Sequence, residues 1–248
     1  MDSRKDLSDV TAILLAAGYG SRIAELTAGP KCLLPVAGKS MLERHLEIWK
    51  KLGLKKVRLV VGYKAEEIIT VAKKYESDLA IEYLYNHEYL TKGNTYSLLL
   101  GIQKLQGTSL IFDADLVYHA DILGTFLAQK EENLIIVGET DISDIECTKT
   151  LVDKNAFVRK VVDKRAITKE ELELYEYVGE AIGILKFSPS VTDALVKNCE
   201  EFLAVAGNLK LNWEHVLNIF LPKVEVQYAQ CINHNWIEID TPEDQKHA

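Results

Sequence analysis

The chain is short of nearly everything that marks a secreted, membrane-embedded or nucleic-acid-binding protein. Its 248 residues hold four cysteines, Cys32, Cys147, Cys199 and Cys231. They lie far apart and form no C-x-x-C pair, so neither a structural zinc site nor a disulfide framework is implied. The simplest reading is a reduced, cytoplasmic chain. No apolar run approaches the roughly 20 residues that span a bilayer, and Met1-Asp2-Ser3-Arg4-Lys5-Asp6 is too polar to open a secretory signal. Basic excess is also missing: 29 Lys and Arg against 37 Asp and Glu give a formal charge of -8, which argues against a nucleic-acid partner. A small phosphorylated substrate remains compatible, because it needs only a few local cations. There is no internal repeat, low-complexity tract or Pro/Ser-rich linker. The six histidines, His45, His87, His119, His215, His234 and His247, show no metal spacing and are read as surface or structural.

What is present is an ordinary globular composition, 48% hydrophobic and 27% charged, with enough length for one domain and a substantial core. Val10 to Ala17 is a short apolar run that stops at Gly18-Tyr19-Gly20, the pattern of a buried strand entering a loop. Ser40 and Glu43 have capping-box spacing and predict a helix burying Leu42, Leu46 and Trp49, ending near Gly53. Lys56 to Val61 is a second strand. A helix over 66–75, a strand over 80–85, a helix over 94–105 and a strand over 109–112 continue the alternation. The expected fold is therefore α/β: a Rossmann-like, mostly parallel sheet flanked by helices. Strands are expected over 134–139, 148–153, 158–162, 181–187, 224–228 and 236–239, and helices over 190–205 and 212–220. The whole reads as one domain: an α/β core over about 8–139, a second region over about 140–235 that adds strands and covers the site, and a final segment over 236–248.

The sharpest signal is Leu15-Ala16-Ala17-Gly18-Tyr19-Gly20-Ser21-Arg22, with Pro30-Lys31 behind it. Ala16, Ala17, Gly18 and Gly20 leave room for backbone N–H groups to approach phosphate oxygens. Arg22 can grip two such oxygens, and Lys31 adds a point charge. Ile23 stands where a dinucleotide fingerprint needs its third glycine, and no GKS or GKT follows, so the dinucleotide and P-loop readings lose ground. With Leu14 in front, this segment resembles the signature of the sugar-phosphate nucleotidyltransferases, the pyrophosphorylase superfamily: LAAGxGSR, a short variable stretch, then PK. The resemblance implies a nucleotide-diphospho-sugar transferase fold, a nucleotide site that takes in Tyr19 and Ser21 as well, and catalytic roles for Arg22 and Lys31. Cys32 is unusual after the Pro-Lys pair and is read as a small buried filler.

Asp113-Ala114-Asp115 follows the apolar run Leu110-Ile111-Phe112. In a parallel sheet, functional groups gather at the carboxyl ends of strands, and alternation points Asp113 and Asp115 to one side. Mg²⁺ commonly takes one or two carboxylates plus substrate phosphates and water. Ile237-Glu238-Ile239-Asp240 is the candidate second source. The family resemblance maps the metal ligands onto Asp115 and Asp240. An Asp before Thr241-Pro242 is equally suited to capping a helix. Asp113 stands in reserve, to orient a ribose or the metal's water shell.

Gly93-Asn94-Thr95-Tyr96-Ser97-Leu98 opens a helix with small polar residues, and Asn94 either caps it or joins the nucleotide site. That segment, Trp236 to Asp240, and Gly179-Glu180-Ala181-Ile182-Gly183 are similar to cytidylyltransferases that activate phosphocholine or 2-aminoethylphosphonate. Inositol-phosphate cytidylyltransferases share part of the pattern. The resemblance implies a Mg²⁺-dependent enzyme using CTP and a small phosphorylated or phosphonate acceptor, with Gly62, Asn94, Ser97 and Asp113 in the nucleotide site. A quaternary ammonium favours an aromatic cage, and a primary amine also wants hydrogen-bond acceptors. Tyr177, Glu180, Trp213, Glu214 and Trp236 are the acceptor candidates, each also compatible with core packing or a solvated face. Three alternatives stay open: a sugar-1-phosphate or molybdopterin nucleotidyltransferase using another NTP, a non-catalytic nucleotide sensor, and an NAD-dependent oxidoreductase. A homodimer is left open.

Overall fold

The structure, a computed structural model, describes residues 6–20, 29–231 and 236–247. Ser21, Arg22, Ile23 and His234 lie outside the described residues. In chain order the elements are β1 (Val10–Ala16), β2 (Pro35–Val36), β3 (Lys39–Ser40), α1 (Met41–Leu52), β4 (Lys56–Val61), α2 (Ala65–Ala72), β5 (Ala80–Tyr85), α3 (Asn94–Ile102), β6 (Thr108–Asp113), β7 (Leu116–Tyr118), α4 (Ala120–Ala128), β8 (Leu134–Gly138), β9 (Lys149–Val152), β10 (Val158–Val162), α5 (Lys169–Leu174), β11 (Glu176–Phe187), α6 (Pro189–Leu203), α7 (Trp213–Phe220), β12 (Gln227–Cys231), β13 (Trp236–Glu238) and α8 (Pro242–His247).

Strands from both halves join one nine-stranded sheet, with β10-β9-β11-β6-β1-β4-β5 in line and β8 and β12 attached beside β11. The β6-β1-β4-β5 section is wholly parallel, and β11 runs antiparallel against β6, β8 and β9. Both faces are covered, so the central strands read as continuous apolar runs rather than alternating ones. Ala12, Ile13 and Leu14 of β1 are completely buried. One side chain set packs under α1, α2 and α4, the other under α3, α6 and α7. No helix among the described residues is long and apolar enough to cross a membrane.

Local signals explain most boundaries. Ser40 accepts the Glu43 N–H and Glu43 reaches back to the Ser40 N–H, the expected capping box of α1. Gly53, at φ 89°, ends that helix in the left-handed conformation that glycine adopts without strain. The 66–75 helix stops earlier as α2 and closes in a 3₁₀ turn. β11 begins at Glu176, five residues ahead of the expected Ala181. Just before it, α5 is capped reciprocally by Thr168 and Glu171. Arg165 and Lys160 hold the Glu171 carboxyl well below its usual range. Four of the five described histidines sit on the surface. The fifth, His45, is buried and kept neutral, its pKa pulled down to about 3 by burial.

Candidate active site

β1 lies between β4 and β6, where the strand order reverses direction, and crevices outside the carboxyl ends of strands at such a point are the usual ligand sites of α/β sheets. The end of β1 aligns with the end of β6, Leu15 opposite Asp113. Here the loop after β1 and the Asp113-Ala114-Asp115 turn form two walls of one cleft. Ala16, Ala17, Gly18, Gly20, Lys31, Asn94, Ser97, Asp113 and Asp115 all line it, together with Asn86, Tyr89 and Lys92. Ser97 is fixed by a hydrogen bond from Asn86 Nδ2 at 2.9 Å.

Gly62 and Tyr19 sit differently. Gly62 backs the loop from behind: a Cβ there would stand 2.7 Å from the Ala17 carbonyl oxygen and 3.0 Å from the Ala17 Cβ. Tyr63 N–H also donates to that carbonyl, at 3.1 Å. Tyr19 is 45% exposed and packs edge-on against Tyr63. Gly62→Ala should therefore push the loop outward, costing about 1–3 kcal/mol of stability and raising the KM for nucleotide, checked by thermal denaturation and initial rates.

The carboxylates converge because the end of the chain returns to the turn after β6. β13 pairs antiparallel with β7, Glu238 opposite Leu116, and Ile239 N–H donates to the Asp115 carbonyl at 2.9 Å. Ile239 is fully buried against Leu34, Val36 and Met41, which pulls the Pro30–Lys31 segment to the same place. Lys31 Nζ then lies 2.7 Å from Asp115 Oδ2 and 2.6 Å from Asp240 Oδ1. Burial pulls the Lys31 pKa down, but these two carboxylates more than offset it and hold the ammonium above its ordinary value. Asp240 does not cap α8. Thr241 does, exchanging hydrogen bonds with Asp244, whose Oδ2 also accepts the Asp240 N–H.

Oxygens of Asp115, Glu238 and Asp240 lie within 4.8 Å of one another. The buried Asp115 Oδ1 has no hydrogen-bond partner among the described residues. Oxygen donors this close suit a hard divalent cation such as Mg²⁺, and the orphaned oxygen is the kind of atom such an ion would satisfy. Glu238 was not among the expected ligands, although the apolar-acidic alternation over 237–240 puts it on the same side as Asp240. Burial, then Asp115 and Asp240, push its carboxyl up to about 8. Burial likewise pushes Asp113 well above the usual range, reinforced by Asp115, Glu214 and Glu238. Gly183, at φ 76°, leaves the space Asp113 needs, since a Cβ there would come 2.7 Å from Asp113 Oδ2.

A second cavity opens beyond Asp113 and Asp115, under the second half of the chain, and Asn94 borders both. Asn94 does not cap its own helix; its Oδ1 accepts the Trp213 N–H at 2.8 Å and so ties the start of α7 to the nucleotide side. Of the five acceptor candidates, Glu180, Trp213 and Glu214 line this cavity. Tyr177 does not: it lines a separate shallow depression with Tyr228 and Gln230, and its hydroxyl donates to the Thr140 carbonyl at 2.8 Å. Trp236 lies apart as well, its indole packed on Gly138 so closely that a Cβ there would meet Cζ2 at 2.5 Å. Lys164 was not anticipated. It sits at φ 44° after β10, lines the second cavity and places Nζ 3.4 Å from Asp240 Oδ2.

Burial is the main reason the Glu214 carboxyl rises from 4.5 to about 7. Between those pH values the folded state keeps a proton the unfolded chain has lost, so stability falls as pH rises through the window. Glu214→Gln should melt like wild type near pH 4.5 and outlast it above pH 7, by on the order of 1–2 kcal/mol. Coincident melts at pH 8 would contradict the burial of this charge.

A mostly parallel sheet with a small-residue loop at its switch point, facing convergent carboxylates and a lysine, fits a nucleotidyltransferase. Residues 12–163 match the MobA-like NTP transferase domain, and the chain belongs to that family. It is 26% identical over 257 aligned positions to a CTP:phosphoglutamine cytidylyltransferase of Campylobacter jejuni, covering 95% of this chain and 97% of the relative. It is 37% identical over 108 positions to a 2-aminoethylphosphonate cytidylyltransferase of Lancefieldella rimae, covering 43% of each chain. Its fold is that of the CTP:phosphocholine cytidylyltransferase from Streptococcus pneumoniae, with TM-score 0.74, 22% identity and coverage of 96% and 97%.

Proposed function

We propose that this protein transfers CMP from CTP to a small phosphorylated or phosphonate acceptor and releases pyrophosphate. The observation that carries the reading is the meeting of two cavities at Asp113 and Asp115. One lies under the glycine loop and takes the NTP; the other takes the acceptor; their shared edge is where the phosphorus must be attacked. CTP is supported by the two cytidylyltransferase relatives, which match this chain over 95% and 43% of its length.

An acceptor oxygen attacks the α-phosphorus of CTP, a P–O bond forms, and the bond to the β-phosphate oxygen breaks as pyrophosphate leaves. No general base is required, because the second pKa of a phosphate is about 6 and the oxygen is already ionised near neutral pH. The chain's task is positioning and charge stabilisation. Loop N–H groups of residues 17–20 hold the triphosphate. Lys31 stabilises charge at the α-phosphate, and Arg22, by the family pattern, grips the same tail. Lys164 enters from the acceptor side, placed to draw the attacking group inward. Asp115, Glu238 and Asp240 would hold Mg²⁺, which supplies Lewis-acid neutralisation of the triphosphate.

Pyrophosphate release from a panel of NTPs against a panel of phosphorylated acceptors tests the reading. Release specific to CTP supports it. Release from another NTP with a sugar 1-phosphate assigns the chain to that branch instead, and nucleotide binding without turnover makes it a sensor.

A further inference from the structure

The acceptor cavity is acidic beyond anything the metal site requires. Apart from Asp113, Asp115 and Glu238 at its mouth, its walls carry Glu146, Asp163, Glu180 and Glu214, and Lys164 is the one lysine or arginine among the described lining residues. An acceptor phosphate brings close to two negative charges at neutral pH. Such an anion is repelled by these walls unless it carries positive charge of its own. Glu214 supplies a second, independent sign: its Oε2 is buried and has no hydrogen-bond partner among the described residues. A buried carboxylate oxygen left unsatisfied is costly, and a donor arriving with the ligand removes that cost. Glu180 is aimed by a hydrogen bond from the Thr140 hydroxyl to Oε2 at 2.8 Å.

Which cation fits is decided by what the walls do not offer. Tyr177 and Trp236 lie elsewhere, so Trp213 is the one aromatic residue among the described lining residues, and it is 4% exposed. A quaternary ammonium has no N–H to donate and is recognised by several aromatic faces. An ammonium bearing N–H groups is recognised by carboxylate oxygens through charge-assisted hydrogen bonds. Building on the proposed transfer reaction, we propose that the acceptor is an aminoalkyl phosphate or phosphonate whose N–H-bearing ammonium is gripped by Glu180 and Glu214. Burial pushes the carboxyls of Glu180 and Glu214 upward when no cation is present, which is consistent with a pocket completed by its ligand.

The test is a graded series that keeps the phosphate and strips the N–H groups: phosphoethanolamine, its N-methyl and N,N-dimethyl forms, and phosphocholine, with ethyl phosphate as the control that lacks an ammonium. With CTP and Mg²⁺, kcat/KM should fall along the series, reaching a loss of about 10–100-fold for the trimethyl compound, and be lower still for ethyl phosphate. Glu214→Gln should raise the KM for phosphoethanolamine, leave the KM for CTP in place and flatten the series. Phosphocholine equal to or better than phosphoethanolamine overturns the proposal, as does ethyl phosphate matching either. Calorimetric binding of the same compounds separates the two levels. Preference for N–H ammonium without pyrophosphate release keeps the pocket and removes the transfer reaction; equal binding of phosphoethanolamine and phosphocholine removes the pocket whatever the turnover.

Discussion

Lys31→Ala should lower kcat by about 10²–10³-fold, the usual cost of deleting one donor to a transition-state oxyanion, with a smaller change in the KM for nucleotide. Its ammonium sits 2.7 and 2.6 Å from the Asp115 and Asp240 carboxylates, so the same substitution has a second, opposite effect. A fixed positive charge that competes for those oxygens is gone, and a divalent cation should bind the nucleotide-free protein more tightly. Mn²⁺ titration of variant and wild type reads this without turnover. A variant with wild-type kcat removes Lys31 from the chemistry; weaker Mn²⁺ binding shows that the lysine organises the carboxylates rather than competing for them.

Asp115→Asn should be at least as damaging. A metal ion at a transferring phosphoryl group contributes several kcal/mol, and each 1.36 kcal/mol is tenfold in rate, so the loss should be about 10³-fold. Asp240→Asn should do the same, and the double variant little worse than either, since neighbours serving one centre are not additive. Activity against Mg²⁺ concentration is the measurement. An unchanged Mg²⁺ midpoint in both single variants would exclude them as ligands.

The parts of this site readable in advance are those built by local chemistry. Ala16 to Gly20 announce a loop because small residues end an apolar run, and Ser40 with Glu43 announces the start of α1 because the capping pair is three residues apart. Asp113 and Asp115 read as paired from strand alternation; β6 in fact ends at Asp113, and the turn that follows keeps Asp115 on the same two cavities. What resisted reading depends on long-range register. Asp240 had two roles open to it until the Thr241–Asp244 exchange took over the capping. Tyr177 is an acceptor candidate on the sequence because an aromatic face suits an ammonium, and it falls ahead of the strand expected over 181–187. The strand in fact begins at Glu176 and shifts register between Tyr177 and Gly179, and Tyr177 belongs to another depression. Trp236 read as an acceptor candidate, yet its indole packs on Gly138 and anchors β13 there. Lys164 carried no signal, since a lysine in a polar turn is commonplace and only the fold places it beside Asp240.

The pairing of β13 with β7 places part of the carboxylate cluster on a segment outside the large sheet. Every strand of the large sheet lies before residue 232, whereas Lys31 meets Asp240 across 209 positions of sequence. The large sheet thus contains none of the 236–240 segment, which carries two of the three clustered carboxylates. A chain cut ahead of Trp236 would retain every described strand of the large sheet and lack Glu238 and Asp240, so on the proposed reaction it should keep its architecture and lose turnover.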